Sequence, residues 1–150
     1  MPSHTMDIER MLEERFRGRE VPEAYKILSR RPETLLRFIE FRDSIMAEGK
    51  LNPILKEKIA LAVSKVNYCN PCLISHSRKL EMMGESIEPL NEREKAALSF
   101  AAKIAITKGK LEDEEIQKIL EIFDYDELLE IALVASLYMF LNTFNNLLVR

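Results

Sequence analysis

The chain has 150 residues, 47% of them apolar and 31% charged, with a formal net charge of −3. That balance suits one folded domain with a single core and excludes intrinsic disorder. The net acidity excludes nucleic acid as the main partner, because a phosphate backbone needs a basic surface.

Only four Gly and six Pro favour helix over a turn-rich β architecture. Almost every segment has the 3.6-residue period, and none alternates with period two. Residues 6–17 place Met6, Met11, Leu12 and Phe16 on a charged background as a first helix. Pro22 and Pro32 sit where helices can begin, since a first-turn residue needs no N–H. "PEAYKILSR" is then a short helix. "PETLLRFIEFRDSIMAEG" is a longer one, its apolar side made by Leu35, Leu36, Phe38, Ile39, Ile45 and Met46, with Gly49 as its stop. "NPILKEKIALAVSKVNY" opens with an Asn cap and Pro at the first helical position. "PCLISHSRKLEMMG" runs to Gly84, placed for a left-handed C-terminal cap. "NEREKAALSFAAKIAITKG" begins acidic and ends basic, which complements the helix dipole. "EDEEIQKILEIF" and "DYDELLEIALVASLYMFLNTFNNLLV" complete seven or eight helices.

The expected fold is all-α, a compact bundle in a single domain over residues 1–150, with 1–30 as an N-terminal helical extension and 31–150 as the core. The last helix is apolar nearly all round over residues 131–141, so it belongs at the domain centre or between subunits. That run spans about 16 Å as a helix, too short for a bilayer core of about 30 Å. Charges occupy the N-terminal stretch where a signal peptide would be apolar, so the cytoplasm is the expected location and no membrane is implied.

The stretch "NYCNPCLISH", residues 67–76, holds both cysteines and one of the two histidines. Asn67 to Asn70 read as the turn of an αα-hairpin, Asn70 as an N-cap and Pro71 as a first-turn residue, which puts Cys69 and Cys72 at a helix N-terminus. Free N–H groups and the dipole there favour thiolate over thiol. His76 lies one turn beyond Cys72 on the same face. On the preceding helix, Glu57 shares an otherwise uncharged arc with Ala60, Leu61, Ser64 and Tyr68, whereas Lys58 and Lys65 lie well round the cylinder. A carboxylate behind an imidazole behind a thiol is a proton relay: the acid orients the ring, and the ring deprotonates the sulfur.

Three rivals stand beside that reading. Cys69, Cys72 and His76 supply three zinc ligands, but a structural site needs a fourth, and His4 is the one other histidine. Two thiols can simply fill core space. His76 and Glu57, each alone, would read as a packed histidine and a helix acid, and their joint spacing is what favours redox use. Other residues read as structural: the methionines as core filler, with Met82 and Met83 as alternative liners of an access channel, and Tyr68 as a packing residue or a border of the site. Asn142, Asn145 and Asn146 fit either a subunit interface or a polar helix end.

"EKIALAVSKVNYCNPCLISH" resembles the signature E-x11-C-x2-C-x3-H of alkylhydroperoxidase D-like proteins, within the carboxymuconolactone decarboxylase family. Glu57, Cys69, Cys72 and His76 match it at every spacing, and the resemblance covers roughly residues 30–150. It implies an all-helical fold, assembly into homo-trimers or hexamers, and an antioxidant thiol peroxidase with no metal or other cofactor. One thiolate attacks the hydroperoxide O–O bond, and the sulfenic acid condenses with the second thiol to a disulfide. A dithiol reductant, lipoyl or thioredoxin-like, reopens it. The family pattern makes Cys72 the attacking residue and Cys69 the resolving one, although the residue geometry alone leaves the order open. The chain departs from the pattern at Pro71, where some members carry a second histidine of the relay. The departure leaves room for a general disulfide oxidoreductase, and a non-catalytic assembly protein with packing cysteines is the rival from another class.

Overall fold

A computed structural model describes residues 4–150, apart from the side chains of residues 4–6, so the side chains of His4 and Met6 lie outside the described part. The described residues form eight helices: α1 His4–Arg15, α2 Glu23–Leu28, α3 Pro32–Met46, α4 Pro53–Val66, α5 Asn70–Met82, α6 Glu92–Thr107, α7 Asp113–Leu120 and α8 Tyr125–Leu148. The fold is all-α, as the periodicity predicts.

Capping chemistry sets the main boundaries. Asn52 accepts from the Leu55 N–H at 2.8 Å ahead of Pro53, and Asn91 accepts from the Glu94 N–H at 2.9 Å. Asp124 and Glu127 form a reciprocal capping box at the start of α8. Each cap satisfies donors that a helix start leaves without partners.

Helix α4 is the hub, packed against α5, α6 and α8. The main core joins Ile59 and Val63 of α4 to Ala97, Ala101 and Ala105 of α6 and to Ile131, Val134 and Ala135 of α8, all fully buried. The three alanines on one face of α6 let the backbones approach closely, and each buried aliphatic side chain contributes about 1.5–3 kcal/mol. A second cluster of Ile8, Leu12, Ala24, Tyr25, Leu28, Leu35 and Ile39 packs α1 and α2 onto α3.

Two lysines of α4 are buried. Lys58, well round the helix from Glu57, is enclosed at 1% exposure, and its Nζ meets Glu94 Oε1 at 2.8 Å. Its neighbour Lys56 donates to the Ile45 and Ala47 carbonyls at 2.8 and 2.6 Å and pairs with Glu130 at 3.0 Å. An ammonium tolerates such burial when paired and hydrogen-bonded. Glu130 also accepts from the Lys50 and Leu51 N–H groups, tying the α3–α4 loop to α8. Gly49 is needed for that approach rather than as a helix stop: α3 ends at Met46, and a Cβ at residue 49 would come within 2.6 Å of Glu130 Oε1.

Helix α8 has 24 residues and is long and apolar enough, by length and composition, to cross a membrane. The core helix of a soluble protein meets the same criterion. Here α8 buries Ile131, Val134, Leu137 and Tyr138 in the core together with the polar Asn142 and Asn145.

Candidate functional site

The chain turns from α4 into α5 over three residues, and side chains of α8 hold that turn. Tyr68 takes a left-handed conformation with φ 53°, uncommon for a bulky residue. The Cys69 N–H bonds the Ser64 carbonyl at 3.1 Å. Asn142 donates to Ser64 Oγ at 3.0 Å and accepts from Asn67 at 3.0 Å, while Asn146 donates to the Asn67 carbonyl at 2.8 Å. Asn142 and Asn146 of α8 thus brace the turn within the chain.

Helix α5 begins one residue earlier than expected: Cys69 is the N-cap, Asn70 the first helical residue, and Pro71 fills the first turn. Tyr68, which a packing role would have buried, is 84% exposed beside the cysteines. Met82 and Met83 at the other end of α5 are also exposed, so they do not fill the core. Cys69 and Cys72 are joined as a disulfide, with Cα atoms 5.3 Å apart. Both are buried, Cys69 at 0% and Cys72 at 6% exposure, so Cys69 is not the more exposed sulfur.

The structure joins the four sequence-predicted residues as two pairs, the Cys69–Cys72 disulfide and a Glu57–His76 contact. His76, one turn beyond Cys72, places Nδ1 2.6 Å from Glu57 Oε2, and both side chains are buried. Burial holds the imidazole below its ordinary value, outweighing the raising pull of Glu57. Burial works to raise the Glu57 carboxyl, but the bond from His76 and the positive charges of Lys79 and Arg42 prevail and hold it below the usual range. An ionised acid beside a neutral ring means that Nδ1–H donates to Oε2, which leaves Nε2 as the basic nitrogen.

Four further residues complete the site, and the sequence reading did not assign them to it. Lys79 Nζ lies 3.8 Å from Glu57 Oε1, and burial brings its ammonium down to about 8. The Tyr138 ring meets His76 edge-on, with centroids 4.4 Å apart. Arg42 lends positive charge to Glu57 and is held by Asp43, which Arg15 of α1 also clasps. Asn145 Nδ2 lies 3.7 Å from Cys72 Sγ. Lys79 had a signal, since it follows His76 by three residues and so shares its face. Arg42, Tyr138 and Asn145 come from α3 and α8, and local spacing carries no trace of their approach.

A cavity of about 500 Å³ lies beside α1, and one of about 170 Å³ lies between α6 and α7. Neither is lined by Glu57, Cys69, Cys72 or His76. Among the described residues no group of three His, Cys, Asp or Glu side chains is arranged to hold a metal ion. The arrangement sets a carboxylate-backed imidazole one helical turn from a sulfur, and it can make and break one S–S bond.

The model of the carboxymuconolactone decarboxylase family matches residues 32–110. No curated protein matches the chain. Among solved structures, a peroxidase-related protein from Silicibacter sp. TM1040 is similar at 26% identity and a TM-score of 0.81, over 97% of this chain and 82% of that one. That coverage takes in most of the first thirty residues. An alkylhydroperoxidase AhpD core protein, peroxidase-related, from Ralstonia eutropha JMP134 is similar at 23% identity and a TM-score of 0.80, over 94% and 82% of the two chains. The debrominase Bmp8 shares the fold at 23% identity and a TM-score of 0.73, over 96% and 83%.

Proposed function

Because the chain belongs to the carboxymuconolactone decarboxylase family, with an alkylhydroperoxidase D-like fold, we propose that it is a thiol-dependent peroxidase. It reduces hydroperoxides through a Cys69/Cys72 dithiol–disulfide cycle, with Glu57 and His76 as the proton relay. The observation that carries this reading is the buried 2.6 Å contact from Glu57 to His76, one helical turn from Cys72. Family members of several activities support an enzyme in general, and the thiol pair beside a relay supports a peroxidase in particular.

In the reduced protein His76 Nε2 takes the Cys72 proton, and the thiolate attacks one oxygen of the O–O bond. That bond breaks, Cys72 becomes a sulfenic acid, and the departing alkoxide takes up the proton and leaves as an alcohol. Cys69 then attacks the Cys72 sulfur and expels water, which regenerates the disulfide. One hydroperoxide and two thiols thus become one alcohol, one water and one S–S bond. A dithiol, lipoyl or thioredoxin-like, returns the two electrons. The reaction suits a reducing compartment, the cytoplasm, and a homo-oligomer, trimer or hexamer.

Sulfurs buried at 0% and 6% exposure favour a small hydroperoxide over a bulky disulfide as the oxidant, which sets this reading above a general disulfide exchanger. The experiment is peroxide-driven loss of both thiols, followed by mass spectrometry, in wild type and His76→Ala. Fast formation of a Cys69–Cys72 disulfide, slowed about 100-fold in His76→Ala, supports the proposal. Thiols that oxidise no faster than free cysteine would leave the cysteines as packing residues.

A further inference from the structure

We propose that Asn145 is a catalytic residue of the same centre: its side-chain amide donates to the Cys72 sulfur as an anion and thereby selects Cys72 over Cys69 as the nucleophile. The inference rests on the dithiol reading above and adds a residue from a different part of the chain.

The orientation of the amide is fixed by chemistry. Asn145 Nδ2 lies 2.8 Å from the Leu141 carbonyl oxygen, which only accepts, so the nitrogen and not Oδ1 must face it. The second N–H of that nitrogen is then free to point at Cys72 Sγ, 3.7 Å away and within reach of a hydrogen bond to sulfur. Asn145 is buried at 9% exposure, so little water competes for the donor. A neutral disulfide sulfur is a poor acceptor, whereas a thiolate is a strong one, so the bond gains strength when the S–S bond opens. Both residues stand in regular helix, α8 and α5, so opening the disulfide leaves their backbones in place.

The start of α5 explains why a side-chain donor matters. A helix N-terminus normally offers several free N–H groups to an anion. Here Pro71 has none, so the first turn is one donor short. Cys69 occupies the N-cap without a side-chain capping bond. The amide of Asn145 restores at Cys72 a donor that proline removes from the first turn. Its neighbours Asn142 and Asn146 brace the turn instead, so the three asparagines divide between holding the loop and reaching the sulfur. Asn145 gives up no proton: the proton leaving Cys72 goes to His76 Nε2.

The test is alkylation of the fully reduced protein with iodoacetamide across a pH series, the modified sulfur being identified by mass spectrometry. In wild type Cys72 should react first on the acid side, with an apparent pKa below the free-thiol value of about 8.5. Asn145→Ala should raise that pKa by about one unit or more, as expected for loss of a hydrogen bond to a charged group. Asn145→Asp, the same shape with an acid in place of the donor, should raise it further. Asn142→Ala removes a bond to the same turn without touching sulfur and should leave the value where it is. Should the alanine variant lose its helical circular dichroism, Asn145→Ser, whose hydroxyl can still bond the Leu141 carbonyl, reports in its place. Cys69 reacting first in wild type, or a Cys72 pKa unmoved by the changes at residue 145, would overturn the proposal. Peroxide takes no part in this measurement. Thiols inert to peroxide but shifted by Asn145 would sink the peroxidase reading alone, and peroxide-reactive thiols unmoved by Asn145 would sink the present one alone.

Discussion

A carboxylate that stays charged and an imidazole that stays neutral are a base held ready, and the direction of each pH effect follows from that pairing. Protonation of His76 removes the acceptor for the Cys72 proton, so thiol oxidation should fall as pH drops below the ordinary imidazole value of about 6.5. Lys79 helps hold His76 neutral, since its positive charge opposes a second one on the ring. Lys79→Met should therefore move the acid limb of the pH–rate profile to higher pH, measured as the rate of thiol loss to peroxide. Stability follows the same sign: the unfolded chain binds a proton at residue 76 at a higher pH than the folded one does, so the folded state loses stability as pH falls through and below about 6.5. At this scale the spacing of Glu57, Cys69, Cys72 and His76 was readable in the sequence, because one helix turn and one hairpin connect all four. The charges of Arg42 and Lys79 and the ring of Tyr138 tune that set, and two of those three arrive from helices far along the chain.

The start of α4 was readable because Asn52 before Pro53 is local chemistry, whereas Asn70, read as the cap of α5, is its first helical residue. The partners that let polar groups sink between helices are not local. Nothing local to Lys58 announces Glu94 of α6, and Asn142, read as either a subunit contact or a polar helix end, meets the α4–α5 turn instead. Glu94→Ala should leave the enclosed Lys58 ammonium unpaired and cost about 3–5 kcal/mol of stability in chemical denaturation. Asn142→Leu should cost about 1–3 kcal/mol by stranding the Asn67 amide and Ser64 hydroxyl.

Across the molecule as a whole, the apolar character of residues 131–141 was readable and the question of what covers them was not. Helix α8 sends Ile131 and Val134 into the core yet leaves Phe140 and Leu147, two turns apart on one face, at 49% and 61% exposure. Phe41 of α3 and Ile74 of α5 add further exposed apolar side chains. Surface of this kind suits contact with further copies of the chain. Light scattering should give a mass several times the 17.4 kDa of one chain, and a Phe140→Glu/Leu147→Glu double variant should lower it. A monomeric wild type would set aside the trimer or hexamer.

Tyr68 stands at the tip of the turn, exposed and directly before Cys69, in a chain with no tryptophan and only four tyrosines. A disulfide is an efficient quencher of a phenol next to it, and a pair of thiols is a weaker one. The protein therefore carries an optical indicator of its own oxidation state: tyrosine emission should brighten on reduction and dim again with each equivalent of oxidant. Tyr68→Phe should remove most of that change, which would let turnover be followed in real time without a dye or a label.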